Sequence, residues 1–247
     1  IIQILNVRQW VMHKFIFDVD GTLTPSRQRM DNDFKVWFTK FCERNDCYLV
    51  TGSDREKTVE QVGDIVYNRA KYVFQCGGNE QWCGESLIKS STISLSTDLT
   101  TTLNKKLEES QFISHNERRN HIEIRSGLVN FSIVGRPASE WQRARYAQHD
   151  ELTNERHKIC EELSLNYEEY QFSVAGETGI DITYKGMDKS QILDEFSDMD
   201  RISFFGDMTG IGGNDYQIAA AVESRLSGSV YTIDGWQDTW NKLKQLE

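Results

Sequence analysis

The stretch Phe15–Gln28 reads FIFDVDGTLTPSRQ, and it decides how the rest of the chain is interpreted. An apolar run ends at Asp18, and Asp20 follows after one valine and directly before a glycine. A short apolar run that ends at a turn is typical of a buried strand in a parallel sheet. Ligands of open α/β sheets bind beyond the carboxyl ends of the strands, so both carboxylates stand where a site is expected.

The composition bounds the class of protein. The chain has 247 residues, with 28 basic and 38 acidic residues and a formal net charge of -10. This acidic balance argues against a nucleic-acid groove or an anionic membrane surface as the main partner. An odd number of cysteines without a CxxC pair indicates core thiols in a reducing compartment, which predicts a cytoplasmic protein. No apolar run approaches the ~20 residues of a membrane span.

The first eleven residues, IIQILNVRQWV, are apolar but short, and they lack a small-residue cleavage site. Met12 directly precedes the first predicted strand and is a candidate natural start. We therefore assign no function to residues 1–11.

Strand and helix patterns alternate along the first third of the chain. The run at 14–18 is followed by a predicted helix over 31–44 with Asp31 as its N-cap, a strand at 47–50, a helix at 54–66 and a strand at 71–75. This βαβαβ order predicts an open parallel sheet. The pattern resumes at Asp188 with a helix to about Phe196, a strand over 201–205, a strand over 228–232 and a final helix.

The middle of the chain has a different pattern. Residues 82–120 are rich in Ser, Thr and charge, with one predicted helix near 98–109. His121–Arg125 and Leu128–Val134 alternate around Ser126-Gly127, which predicts an antiparallel hairpin. A long helix near 150–163 and two strands follow. The sequence therefore predicts an α/β fold: a Rossmann-like parallel-sheet core (residues 12–81 and 186–247) with an inserted α+β cap domain (residues 82–185).

Three predicted strands end in polar signatures: DVDGT, TGSD and GDMTGIGGND. Asp18, Asp20 and Asp207 are therefore expected to converge, and crowded carboxylates repel unless a cation lies among them. A hard divalent ion with oxygen ligands resolves that repulsion, and Mg²⁺ is the predicted metal.

A carboxylate beside Mg²⁺ can act as a nucleophile towards phosphorus, which assigns that role to Asp18. In an extended segment, side chains two residues apart share a side, so Asp20 is expected to act as the general acid and base. A DxDG turn can also be a simple Asx-capped loop. With TGSD, Lys189 and GDMTGIGGND following in order, phosphoryl transfer is the better interpretation.

The segments DVDG, TGSD and GDMTGIGGND, together with Lys189 in its place between the last two, resemble the haloacid dehalogenase superfamily of phosphotransferases. The resemblance implies that Asp18 is the nucleophile, Asp20 the acid and base, and Asp207 part of the metal site. It also implies that Lys189 and one hydroxyl, from Thr51 or Ser53, bind the phosphoryl group. The choice between the two hydroxyls stays open.

Five segments resemble the eukaryotic-type phosphomannomutases more narrowly: DVDGTLTPSRQ, GSDREK, IEIRSGLVNFSIVGR, GIDITYKGMDK and FFGDMTGIGGNDY. The resemblance implies a hexose phosphate substrate, a hexose 1,6-bisphosphate activator, and a homodimer joined through the cap. It implies sugar contacts from Asn130 and Asp181. It also implies a cradle for the phosphate that does not react, formed by Arg27, Arg125, Arg136 and Arg143.

Three places depart from this family pattern. One is Cys76-Gly77-Gly78-Asn79, which stands where the family has glutamate, asparagine and glycine after the third strand. Gly179 stands at a substrate-binding position where the family has serine, and Ala221 stands where the family has a carboxylate of a second metal site. The expected activity is interconversion of mannose 1-phosphate and mannose 6-phosphate through an aspartyl-phosphate. The alternative is an Mg²⁺-dependent sugar-phosphate phosphatase of the same superfamily. A non-catalytic phosphosugar-binding module is disfavoured because Asp18 and Asp20 are both present.

Overall fold

The computed structural model describes residues 12–112 and 119–246. Residues 1–11, to which the sequence assigns no function, lie outside the described residues. The chain forms two compact units: Ile1–Ile88 with Lys189–Glu247 is the first, and Lys89–Asp188 is the second. Within residues 12–112 and 119–246, no helix combines the length and the apolar composition that a membrane span needs.

The strands and helices follow one another in a simple order along the described residues. They are β1 (His13–Asp18), α1 (Asn32–Arg44), β2 (Asp46–Val50), α2 (Arg55–Val62), α3 (Asp64–Arg69), β3 (Tyr72–Gln75), β4 (Glu80–Cys83), β5 (Ser86–Ser90), α4 (Thr97–Glu109), β6 (Asn120–Arg125), β7 (Leu128–Arg136), α5 (Glu140–Thr153), α6 (Glu155–Asn166), β8 (Tyr170–Ala175), β9 (Gly179–Tyr184), β10 (Arg201–Gly206), α7 (Tyr216–Glu223), β11 (Gly228–Thr232) and α8 (Trp236–Leu246). Short 3₁₀ turns lie at Cys76–Gly78 and Lys189–Glu195.

The first unit is built on a seven-stranded sheet with the order β11-β10-β1-β2-β3-β4-β5. β1 pairs in parallel with β10 on one side and with β2 on the other. Asp18 lies opposite Val50, and Phe17 lies opposite Phe205, so the carboxyl ends of these three strands meet at one edge. The predicted α/β fold with a parallel-sheet core is confirmed.

Both faces of this sheet are covered by helices, which explains why its central strands are apolar throughout. Phe15 and Phe17 of β1 pack in a cluster with residues of α1, α3 and α8, whereas Ile16 packs with residues of α7. The predicted helix cap is also confirmed, because Asp31 Oδ1 accepts hydrogen bonds from the main-chain nitrogens of Asp33 and Phe34 at 2.9 and 3.0 Å.

The second unit contains a four-stranded antiparallel sheet with the order β6-β7-β9-β8. β6 and β7 form the predicted hairpin, which is confirmed. One face of the sheet packs against α4, α5 and α6 through a single apolar cluster, in which Phe131, Tyr146 and Ile182 are fully buried. The other face carries polar and charged side chains, among them Glu123, Asn130 and Asp181. One face of the sheet therefore belongs to the apolar core, and the other carries polar side chains that could contact a ligand.

Four sequence predictions of secondary structure are wrong. The helix expected over 54–66 is broken at Gly63 (φ 81°) into α2 and α3, and the helix expected from Asp188 to about Phe196 is the 3₁₀ turn Lys189–Glu195. No strand was expected between residues 82 and 120, yet β4 enters this stretch and β5 lies within it. The single long helix expected near 150–163 is two helices, since Asn154 has a left-handed backbone (φ 53°) and ends α5 before α6 begins. A left-handed residue cannot continue an α-helix, and asparagine tolerates that conformation well.

The break between α5 and α6 is joined by a buried ion pair. Arg156 Nε donates to Asp150 Oδ2 at 2.8 Å, and both residues are buried. The Arg156 Nη1 atom also donates to the carbonyl oxygens of Ala175, Gly176 and Gly179, at 3.3, 2.9 and 3.2 Å. One guanidinium group therefore fixes the helix junction and the β8–β9 turn together.

We predict that Arg156→Met lowers the free energy of unfolding of the second unit by about 3–5 kcal/mol, because it leaves the Asp150 carboxylate buried without its cation. Urea unfolding followed by circular dichroism measures the loss. The matched control is Lys105→Met, which breaks only the exposed pair with Glu109 and should cost less than about 1 kcal/mol. Equal effects of the two substitutions would contradict the structural role of Arg156.

Candidate active site

Asp18 ends β1 with a buried carboxylate that is 3% exposed. Lys189 lies in the turn Lys189–Glu195, and its Nζ atom donates to Asp18 Oδ1 and to Asp215 Oδ1, each at 2.6 Å. Lys189 and Asp215 are also buried. One ammonium group between two carboxylates neutralises only one of them, so the buried triad keeps an excess of negative charge.

Asp207 follows β10 and adds a third carboxylate. One oxygen atom from each of Asp18, Asp207 and Asp215 lies within 4.8 Å of the others. Asp18 Oδ2 is buried and accepts no hydrogen bond from any residue that the structure describes. Hard divalent cations prefer carboxylate oxygens, so this donor set and the unpartnered oxygen fit such an ion. We call Asp18, Asp207 and Asp215 the acidic cluster.

Gly21 makes room for the acidic cluster. Its backbone is left-handed (φ 81°), and a Cβ atom built on it would overlap the carboxylate of Asp207. Any other residue would therefore be strained in its backbone and would push Asp207 away. The glycine of the DVDGT signature thus has a direct steric role in the site.

Burial raises the pKa of Asp18 to about 7, and Asp215 adds to this rise whereas Lys189 opposes it. Burial and then Asp215 also raise the pKa of Asp207 above its usual range. Burial alone would lower the pKa of Lys189, but Asp18 and Asp215 raise it above its ordinary value. Lys189 therefore stays protonated, and the carboxyl groups of Asp18 and Asp207 lose their protons less readily unless more positive charge is supplied.

Asp20 lies outside the acidic cluster. Its Oδ1 atom accepts hydrogen bonds from the main-chain nitrogen of Arg27 at 2.6 Å and from Gln61 Nε2 at 2.9 Å. The chain turns after Val19, whose carbonyl accepts from the nitrogens of three following residues, so the argument from an extended segment does not hold here. The structure does not bring the Asp20 carboxylate to the cluster, and its role as a metal ligand stays a prediction. Two donors nevertheless fix its orientation.

The turn after β2 carries the two candidate hydroxyls. Thr51 is buried, and its Oγ1 atom accepts a hydrogen bond from the main-chain nitrogen of Ser53 at 3.1 Å. The main-chain nitrogen of Thr51 donates to Phe74 O at 2.9 Å, which ties the turn to β3. Ser53 is half-buried. Both hydroxyls thus lie on a turn held by main-chain hydrogen bonds at the same sheet edge as Asp18.

The polar face of the second unit joins three predicted substrate residues. In the strand register, Asn130 lies opposite Asp181. Asn130 Nδ2 donates to Asp181 Oδ1 at 2.7 Å, and Arg136 Nη2 donates to Asn130 Oδ1 at 3.2 Å. Gly179 lies two residues before Asp181 on the same strand, hence on the same face. Burial raises the pKa of Asp181, which the hydrogen bond from Asn130 partly offsets.

Two of the predicted phosphate-binding arginines share one carboxylate. Glu123 Oε2 accepts from Arg125 Nη2 at 2.8 Å and lies 3.0 Å from Arg136 Nε. Arg143 belongs to α5 and pairs with Glu177, with 3.3 Å between Nε and Oε2. Arg27 belongs to the first unit, where its side chain is exposed. The structure therefore brings Arg125 and Arg136 together and gives Arg143 a separate partner.

Sequence reasoning missed two side chains that organise these sites. Asp215 lies within the quoted GGND segment, just before α7, and its carboxylate accepts hydrogen bonds from Lys189 Nζ and from the main-chain nitrogen of Met208. Glu123 lies two residues before Arg125 on β6 and opposite Asn130, and the predicted hairpin was the available signal, because its two-residue turn sets this register. Ala221, at the departure from the family pattern, packs against the apolar cluster of α7.

Comparison with known proteins agrees with this geometry. The family model described as eukaryotic phosphomannomutase matches residues 34–246. Phosphomannomutase 1 of Mus musculus is 33% identical over 94% of this chain and 90% of its own length. The phosphomannomutase of Arabidopsis thaliana is 34% identical over 94% of this chain and 95% of its own length.

Among solved structures, a haloacid dehalogenase-like hydrolase from Bacteroides thetaiotaomicron superposes with a TM-score of 0.61 at 11% identity. The match covers 96% of this chain and 100% of that one, and at this identity it shows the fold alone. The fold is therefore of the haloacid dehalogenase type. With the family model and the relatives above matching most of its length, the chain belongs to the eukaryotic phosphomannomutase family.

Proposed function

We propose that the chain is a phosphomannomutase that interconverts mannose 1-phosphate and mannose 6-phosphate. The observation that carries the proposal is the buried Asp18 carboxylate, with one oxygen on Lys189 and the other without a hydrogen-bond donor among the described residues. A carboxylate held in this way is directed and poorly solvated, which suits a nucleophile. The family membership supports the choice of a mutase among the phosphotransferases of this fold.

In the proposed first transfer, Asp18 attacks phosphorus of a hexose 1,6-bisphosphate, the activator. The phosphorus–oxygen bond to the sugar breaks, and the departing sugar oxygen takes a proton from Asp20. In the second transfer, Asp20 removes the proton from the hydroxyl of a hexose monophosphate. That oxygen attacks phosphorus of the aspartyl-phosphate, and the Asp18 carboxylate is released. The bisphosphate formed in this way must then turn over, so that its other phosphate meets Asp18. The first transfer, repeated on that phosphate, releases the isomeric monophosphate and restores the aspartyl-phosphate, and the protons and phosphoryl groups balance over the cycle.

The charges of the phosphoryl oxygens need stabilisation in both transfers. Lys189 and a hydroxyl from Thr51 or Ser53 would bind these oxygens as donors. Asp18, Asp207 and Asp215 would hold Mg²⁺, with Asp20 kept as a further candidate, and the ion would supply positive charge opposite the transferring group.

The phosphate that does not react is assigned to Arg125 and Arg136, with Arg143 and Arg27 as further candidates. Planar guanidinium groups match the oxygens of a phosphate dianion in pairs, which an ammonium group cannot do. Asn130 and Asp181 are assigned to the sugar hydroxyls. A homodimer through the second unit and a cytoplasmic location remain predictions from the resemblance and the composition.

The activity is tested by ³¹P NMR of the protein with mannose 1-phosphate, Mg²⁺ and a trace of glucose 1,6-bisphosphate. We predict a growing mannose 6-phosphate signal in the parent protein and none with Asp18→Asn, because an amide cannot form the aspartyl-phosphate. Asp198→Asn, at a fully exposed carboxylate, is the matched control and should keep parent activity. Inorganic phosphate as the main product would instead establish a sugar-phosphate phosphatase, and full activity of Asp18→Asn would refute the mechanism.

The raised pKa of Asp18 predicts how stability depends on pH. Because this carboxyl holds its proton more tightly when folded than when unfolded, it should destabilise the metal-free protein as pH rises from about 4 to about 7. Mg²⁺ should then raise the melting temperature more at about pH 8 than at about pH 5. Thermal unfolding with and without chelator measures both effects, and their pH dependence should be weaker in Asp18→Asn. An Mg²⁺ effect that does not change with pH would argue against metal binding at these carboxylates.

We predict that Arg136→Ala raises KM for mannose 1-phosphate about tenfold or more, because it removes charge-assisted hydrogen bonds to the phosphate. The Mg²⁺ concentration for half-maximal rate should not change. The matched control is Arg145→Ala in the same unit, where the guanidinium lies over the rings of Phe112 and Trp141. Steady-state kinetics measures both variants, and an unchanged KM in Arg136→Ala would remove this arginine from the substrate site.

A further inference from the structure

The polar face of the second unit contains a close approach between Gly179 and Asn130 that a Cβ atom at position 179 would disturb. A Cβ atom built at Gly179 would lie 2.6 Å from Asn130 Nδ2 and 3.1 Å from Ala175 O. The first distance is shorter than carbon–nitrogen van der Waals contact. The carboxamide of Asn130 therefore occupies the space that a side chain at position 179 would take.

In this position the Asn130 carboxamide connects two charged groups. Its nitrogen donates to Asp181 at 2.7 Å, and its oxygen accepts from Arg136 at 3.2 Å. Asn130 is 5% exposed, so water competes little for these hydrogen bonds. Displacing the carboxamide would remove the link between Arg136 and Asp181 and would take from the half-buried Asp181 carboxylate its hydrogen bond from Asn130.

The backbone of Gly179 cannot easily give way. Its carbonyl accepts from Arg156 Nη1 at 3.2 Å, and the residue lies in register between Ser132 on β7 and Ala175 on β8. The end of the Asn130 side chain is the more mobile neighbour. A side chain added at position 179 would therefore turn the Asn130 carboxamide away from Asp181, without disrupting the sheet.

We propose that Gly179 is a positioning residue for substrate recognition, which acts by letting the Asn130 carboxamide lie against Asp181. The remaining Asp181 oxygen and the second Asn130 N–H then present one acceptor and one donor side by side, as suits neighbouring hydroxyls of a sugar. The role in recognition rests on the proposed function, whereas the steric coupling of Gly179 to Asn130 does not. Serine, the residue that the family resemblance implies here, would therefore weaken binding in this chain.

The test compares Gly179→Ala, Gly179→Ser, Asn130→Ala and the double variant Gly179→Ala/Asn130→Ala. The control is Gly176→Asn, in the same β8–β9 turn, where a Cβ atom would meet nothing within 4 Å and asparagine tolerates the left-handed backbone (φ 52°). Each variant is measured for melting temperature, for kcat and KM with mannose 1-phosphate, and for the side-chain amide resonance of Asn130 by ¹⁵N NMR where asparagine is kept.

We expect Gly179→Ala and Gly179→Ser to raise KM about tenfold with little change in kcat, as for loss of a hydrogen bond to a charged group. The double variant should match Asn130→Ala, because the added methyl group has nothing left to displace. The Asn130 amide resonance should move in both Gly179 variants and stay in Gly176→Asn. A parent-like or lower KM in Gly179→Ser, or additive effects in the double variant, would overturn the proposal.

The two readouts separate this inference from the proposed function. If the parent chain does not convert mannose 1-phosphate, the proposed function fails, and the amide resonance still decides whether Gly179 controls Asn130. If the parent is active but the resonance is unchanged in Gly179→Ala, the positioning role fails and the mutase assignment stands.

Discussion

The first unit depends on one buried interaction, the ammonium group of Lys189 between the carboxylates of Asp18 and Asp215. These residues are 171 and 26 positions apart from Lys189, so they meet only when the sheet has formed and α7 has docked. A buried charge that loses its partner costs several kcal/mol, so each member holds the other two in place. The same interaction leaves one Asp18 oxygen without a donor among the described residues, and fold and chemistry are therefore coupled at this point.

The local sequence pattern predicted the elements whose side chains are buried along their length and those with a capping residue. β1 is apolar on both faces because helices cover both, and Asp31 caps α1 through its own side chain. β5 was not predicted because all five of its residues are exposed. With no buried side, its sequence SLIKS does not alternate between apolar and polar residues. The break at Asn154 was not predicted because a single left-handed residue leaves no signal in periodicity, and the buried residues on either side of it are the charged Asp150 and Arg156.

The candidate site was predictable where side-chain direction follows from a strand end, as for Asp18 and Asp207. The position of the Asp20 carboxylate was not predictable, because side chains two residues apart share a side only in extended backbone, and the chain turns at Val19. Asp215 depends on a contact with Lys189, and Glu123 meets Arg136 through the pairing of β6 with β7. Sequence motifs show which residue types are present, but the tertiary fold decides which of their side chains come into contact.

The acidic composition raises a question about the recognition of a phosphate dianion, since a net charge of -10 repels it at long range. The second unit holds its arginines with carboxylates, yet Glu123 contacts Arg125 and Arg136 through the same oxygen, Oε2. The single negative charge of Glu123 offsets only one of the two guanidinium charges, so Glu123 orients the pair without neutralising it. An anion that binds two preoriented guanidinium groups gives up less side-chain entropy than one that must order them. Local arrangement, and not overall charge, therefore determines whether this acidic protein can bind phosphate.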